Sequence, residues 1–346
     1  MAGIGSIKGS AQELRKHRSE ESAQRNSKAV TRKILNASEV SGEYDASRML
    51  DTTLGGVKRK ITNDDLAAFR QNARTAGQRF KGGIKVRGVV DLSTNEDLKR
   101  ARTQIRTAVA AASKPLKTGA LEVRFIVSAS GRTPGAPSRY QATVEFLEFE
   151  ALVANGGLTP QKAAVRLRQG GVRFDCTCDH HRYRLRYIAT IGGFNAGRSE
   201  TGFPKITNPS LSGVACKHVL RVMGEIEGGS AVQLFLAKAI EKVRDGRTGR
   251  QYTSEKEAER QAEKQENRNM AANARGTGDR DFDRSRRALR KKSRSTKAKP
   301  SKTANGSKRI QALKDVPAAH DTLMATIDAL GLTPEQAAAM ILKGKQ

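Results

Sequence analysis

Tryptophan is absent from this 346-residue chain, and aromatic residues of every kind make up only 4% of it. With 37% hydrophobic residues as well, the sequence is too polar to form one compact globule along its whole length, so a core with arms is expected. Acidic residues are scarce: 35 Asp and Glu stand against 64 Lys and Arg, a formal charge of +29. An excess of that size favours a polyanionic partner through counterion release. Cysteine occurs only three times, and an odd number so small excludes a disulfide framework. No apolar run approaches the ~18 residues needed to span a bilayer. The opening Met1-Ala-Gly-Ile-Gly5 has neither an apolar signal-peptide stretch nor a glycine in second place for myristoylation. The expectation is a soluble protein with no membrane partner, acting inside a cell or a particle. P-loop, G-x-S-x-G and H-E-x-x-H motifs are all missing, as are paired carboxylates at a metal site. The chain therefore reads as a non-enzymatic protein.

What the sequence does have is a concentration of soft ligands. All three cysteines fall in one window, as Cys176-Thr-Cys178 and Cys216-Lys-His218. A C-x-C and a C-x-H together offer three sulfurs and one imidazole nitrogen, the ligand set of a closed, structural Zn²⁺ site. A catalytic zinc normally leaves one position to water, whereas Cys176, Cys178, Cys216 and His218 fill all four. His180 and His181 lie beside the first pair and stay open as alternative ligands.

Along the chain, residues 1–117 read as a polar arm with short helices. One is expected over residues 64–76, behind the cap candidates Thr62 and Asn63, with Leu66, Phe69 and Ala73 on one face. Another is expected over 95–112, where Leu98, Ala101, Ile105 and Val109 recur at helical spacing. The character changes near Leu121. Leu121, Val123, Phe125 and Val127 alternate, as do Ala142, Val144 and Phe146, around a turn-rich stretch at 130–138; this predicts a β-hairpin. Thr159 and Pro160 open a helix that Gly170-Gly171 closes. Helices are also expected directly after His218 and over Val232, Phe235, Leu236, Ala239, Ile240 and Val243. The core is thus placed at 118–245.

Residues 246–316 read as a basic linker, disordered or ordered only by a partner. Its densest part, 284–309, holds twelve Lys and Arg and no acid. Arg284, Arg286, Arg287, Arg290, Lys291, Lys292, Arg294, Lys297 and Lys299 are candidate contacts to a DNA backbone, without any base-reading pattern. An acidic face of another protein is the competing target for this tail. A helical element is expected over 317–346, where Thr333 and Gln336 form a capping box. The fold class expected is α+β: a small zinc-pinned core with a β-hairpin and helices, flanked by long helical or extended basic arms.

The metal motif also carries a resemblance. C-x-C followed by C-x-H resembles a SWIM-type zinc finger. It is more similar still to the SWIM-like module of tailed-bacteriophage virion proteins. There the cysteine pair is followed by an aromatic-basic stretch, here Tyr183-Arg-Leu-Arg-Tyr187. A glycine-rich loop comes next, here Gly192-Gly-Phe-Asn-Ala-Gly197, then Pro204-Lys-Ile-Thr-Asn-Pro-Ser-Leu211, and then Cys216-Lys-His218 with Leu220 behind it. The likeness covers 172–224. It implies a structural protein of a virion, present in the host cytoplasm during assembly. Such a protein belongs to a multi-copy assembly and contacts packaged DNA or other virion proteins. The alternative is an intracellular DNA-binding accessory factor of recombination, replication or transcription.

Overall fold

The computed structural model describes residues 7–25, 33–42, 49–81, 83–131 and 137–274. They belong to one compact unit, Met1–Gly276. The nine basic candidates between Arg284 and Lys299, and the expected helix at 317–346, lie outside the described residues.

Alternation of apolar and polar residues builds a six-stranded antiparallel sheet. Its strands are β3 (Ile84–Lys85), β4 (Ala108–Pro115), β5 (Leu121–Ser128), β6 (Arg139–Phe146), β7 (Gly171–Cys176) and β8 (Gln251–Tyr252), in the order β3-β7-β6-β5-β4-β8. A separate two-stranded ribbon joins β1 (Asp51–Thr52) to β2 (Arg59–Lys60). One face of the large sheet is wholly apolar: Leu121, Val123, Phe125 and Val127 stand beside Ala142, Val144 and Phe146, then Val172, Phe174 and Cys176, every one fully buried. Helix α9 (Lys217–Gly228) lies across β4 to β7 on this face, burying Val219, Val222, Met223 and Ile226. Helix α10 (Ser230–Arg244) continues the layer over β4.

The hairpin β5–β6, helix α7 (Pro160–Leu167) with its Thr159 cap, α9 and α10 stand where the sequence places them. The mixed α+β class is confirmed. Helix α3 (Asn63–Arg79) also forms, capped by Thr62. Three expectations differ from the structure. First, the core does not begin at 118. Leu35, Ile61, Leu66, Phe69, Phe80, Val86, Val89 and Ile105 join the same hydrophobic cluster as the sheet. No helix there buries more than three apolar residues, so no local stripe is wide enough to announce a core. Second, the helix expected over 95–112 ends early. Helix α5 (Asn95–Gln104) stops before Ile105, and Ala108–Pro115 is the strand between β5 and β8. Both faces of this strand are covered, which selects small residues, and alanine alone does not distinguish strand from helix.

Third, the polar segment after 245 is partly ordered. Helix α11 (Glu255–Ala274) sets Ala258 and Ala262 against Val109 on the sheet's outer face. β8 pairs with only two residues of β4, leaving the start of β4 as an open edge. The Gln265 side chain closes it, accepting from the Ala108 amide at 2.8 Å and donating to the Ala108 carbonyl at 2.9 Å. An amide side chain thus stands in for a neighbouring strand.

Arg244 supplies a further polar lock. Its guanidinium donates to the carbonyls of Val153, Leu158, Leu152 and Asn155 at 2.6–3.0 Å. These carbonyls lie at and beyond the end of helix α6 (Phe149–Ala154), where no further helical turn takes them up. Arg244→Ala strands several acceptors at once, and a destabilisation of about 2 kcal/mol is expected. Urea unfolding of the full chain measures it; a midpoint unchanged from the parent contradicts this role.

Candidate metal centre

Strand geometry explains the C-x-C. Cys176 is the last residue of β7, and positions i and i+2 of an extended chain point to the same face. Both thiols therefore turn toward the core. The extended path continues one residue further, because Thr177 pairs with Gln141, amide to carbonyl at 3.0 Å and amide to hydroxyl at 3.1 Å. The chain then coils tightly. The Cys178 carbonyl accepts from Arg182 at 3.1 Å, and residues His181–Leu185 form a π-helical turn that runs into helix α8 (Arg186–Ile191).

The second pair comes from helix α9. Cys216 is its N-cap and His218 its second residue, so the helix start delivers both side chains to the end of β7. Cys176, Cys178, Cys216 and His218 are all buried, and their ligand atoms lie within 4.8 Å of one another. Neither ring nitrogen of His218 has a hydrogen-bond partner among the described residues. Burial pushes the Cys176 and Cys216 thiols up, and contact with the other sulfurs adds to the effect at Cys176. Burial also opposes ionisation of Cys178, but the neighbouring thiols and the His218 imidazole hold it well below the usual range. Three sulfurs in contact cannot all ionise in a dry core without a cation among them. Converging thiols, an imidazole lacking partners and a soft ligand set all fit a metal ion. The alternatives His180 and His181 are not in this cluster. His180 Nδ1 lies 3.5 Å from Asp97, and His181 Nε2 lies 3.2 Å from Asp175.

Around the four residues stands a shell that the sequence does not announce. Tyr140 tilts against His218, with ring centroids 4.5 Å apart, and His17 also stacks on Tyr140, at 5.8 Å. Burial, then the nearby Cys178 and Asp179 charges, push the Tyr140 hydroxyl up to about 12. His17 belongs to helix α1 (Ile7–Arg25), which is polar and has no apolar stripe. Charge holds it in place: Glu13 meets Arg139 at 3.0 Å, and Glu21 meets Arg186 at 2.5 Å and Arg182 at 3.4 Å. Arg186 also reaches Asp175 at 3.0 Å. Burial opposes ionisation of Asp175, yet His181 and Arg186 hold its carboxyl below the usual range. The glycine-rich loop closes on this network: a Cβ on Gly197 would sit 2.5 Å from the Asp175 carboxyl carbon.

The aromatic-basic stretch Tyr183–Tyr187 is therefore internal packing. Tyr183 is buried, Tyr187 meets Phe203 edge-on at 5.3 Å, and Arg182 and Arg186 are buried in ion pairs. No single local signal marks Tyr140, His17 or Glu21 for these places, since each arrives from a distant element.

No protein-family model matches the chain, and no curated protein or solved structure is detectably similar to it. Among the described residues no helix is long and apolar enough to cross a membrane.

Proposed function

We propose that this protein is a non-enzymatic structural component of a tailed-phage particle. In this reading Cys176, Cys178, Cys216 and His218 hold a structural Zn²⁺, and the basic segment 284–309 contacts packaged DNA. The observation that carries the reading is the buried set of three thiols and one imidazole, all within 4.8 Å. Four protein ligands leave no position for a substrate or a reactive water, so the ion acts as a clamp between β7 and α9. The zinc does for these two distant segments what a disulfide does in an oxidising compartment. Placement in a particle rests on the likeness to the SWIM-like virion module. DNA contact rests on the charge of +29 and the twelve cations in 284–309.

Two experiments test these parts separately. Mass spectrometry of purified particles is expected to find the chain; its absence from mature particles while present in infected cells favours an accessory factor instead. Binding of the full chain to duplex DNA is expected to fall steeply with salt. About ten neutralised phosphates give a log–log slope on the order of −9. Deleting 284–309 flattens that slope, and an unchanged slope refutes the role of the segment.

A further inference from the structure

Helix α1 is fastened to the sheet by charge, where the other long helices are fastened by apolar packing. None of its described residues belongs to a hydrophobic cluster of the core, and Leu14 borders a narrow gap together with Ile126 and Tyr140. We infer that α1 is a detachable strap. It comes away from the sheet while the core stays folded, and its position decides whether the Tyr140 side of the metal centre is covered or bare. Neither a bound ion nor a particle is needed for this.

The attachments themselves are weak in net terms. Glu13 meets Arg139 at 3.0 Å, and Glu21 meets Arg186 at 2.5 Å and Arg182 at 3.4 Å. Arg182 also donates to the His17 carbonyl at 3.2 Å. An ion pair near the surface gains little, and a covered one gives back most of its Coulomb energy as desolvation. A polar helix of this length is marginal in water by itself, and Gly9, Ser10, Ser19 and Ser22 weaken this one further.

The balance of charge also opposes docking. Helix α1 carries five Lys and Arg against three Glu, on a chain of formal charge +29, so the overall field repels it. Attachment depends on Glu13 and Glu21, which are turned inward, while Arg15, Lys16 and Arg18 are exposed.

The core, for its part, does not need the carboxylates of the strap. With α1 away, Arg186 keeps Asp175 at 3.0 Å and Arg182 keeps Asp179 at 3.8 Å. Both guanidiniums regain water, and no buried charge is left uncompensated. Helices α9 and α10 differ in this respect. They bury Val222, Met223, Leu236 and Ile240 completely and cannot leave without opening the apolar face of the sheet. Release of α1 bares Arg139, Ile126 and the ring of Tyr140, which is in contact with both His17 and His218.

Amide hydrogen exchange of the full chain, read by mass spectrometry, tests the strap. In the parent, residues 12–23 are expected to be protected, yet to exchange at least about tenfold faster than residues 123–127 and 143–146, because a local opening precedes the global one. Two variants separate docking from helix stability. Glu21→Gln removes a carboxylate that is 14% exposed, and Glu20→Gln removes the same charge from a position that is 46% exposed. Exchange in α1 should quicken by at least about fivefold in Glu21→Gln and by less than about twofold in Glu20→Gln, with the sheet within about twofold of the parent in both. Three results overturn the strap. One is protection of α1 equal to that of the sheet in the parent, or none at all. Another is loss of sheet protection in step with α1 in Glu21→Gln. The third is equal acceleration of α1 by the two variants.

Discussion

Cys216→Ser is expected to abolish cooperative folding of the sheet-and-helix unit. Structural zinc contributes on the order of 10–16 kcal/mol of apparent binding energy in small sites, against a total domain stability of about 5–15 kcal/mol. Here the ligands are not peripheral. Cys176 ends a strand packed on both sides, and Cys216 and His218 start the helix that covers four strands of the sheet. Without an ion, three buried thiols crowd together at the junction of both layers, beside an imidazole whose nitrogens have no hydrogen-bond partner among the described residues. Near-UV circular dichroism and thermal melting of the full chain measure the effect. A strong chelator added to the parent protein should reproduce it, and restored zinc should reverse it. A variant that melts within a few degrees of the parent, with no bound metal, contradicts the clamp.

Arg186→Met is expected to cost about 3 kcal/mol, because it leaves Asp175 and Glu21 as largely covered carboxylates with their shared counter-charge removed. Methionine keeps much of the volume, so the loss reads charge and not packing. The pH dependence separates this account from a packing defect. In the parent, the Asp175 carboxyl is held below its unfolded value by His181 and Arg186 despite burial. Its contribution is therefore present above about pH 4 and is lost as pH falls through the lower folded value. In the variant the same carboxyl rises, so protonation relieves the strain of an unpaired charge. The difference between the two proteins should be largest near neutral pH and shrink below about pH 4. A difference independent of pH would sink the electrostatic explanation. The same substitution loosens helix α1, which has no apolar stripe and is held by Glu13, His17 and Glu21.

The cluster of three cysteines and His218 was legible because its chemistry is rare and its spacing is local. A C-x-C on a strand and a C-x-H at a helix start each place two ligands from one short segment, and the chain has no other cysteine. The hairpin and the two long helices were legible for a similar reason: Leu121 to Val127 alternates cleanly, and Val232 to Val243 keeps helical spacing. The alanine run at 108–112 was not, since a small residue fits either period and only burial on both faces makes it a strand. The contribution of residues 34–105 to the core was hidden for another reason. Phe69 packs on Phe203, and Phe80 on Phe194, with centroids 4.4 and 5.0 Å apart. Contacts across more than a hundred residues leave no periodic trace. Helix α11 was obscured because Gln265, a polar residue, does the work of a strand edge.

X-ray absorption at the zinc edge, on the full chain purified without added metal, tests the central claim most directly. The predicted result is one zinc per chain, with three sulfurs at about 2.3 Å and one nitrogen at about 2.0–2.1 Å. A folded protein without zinc, or a zinc shell in which oxygen replaces one of the sulfurs or the imidazole nitrogen, would contradict it.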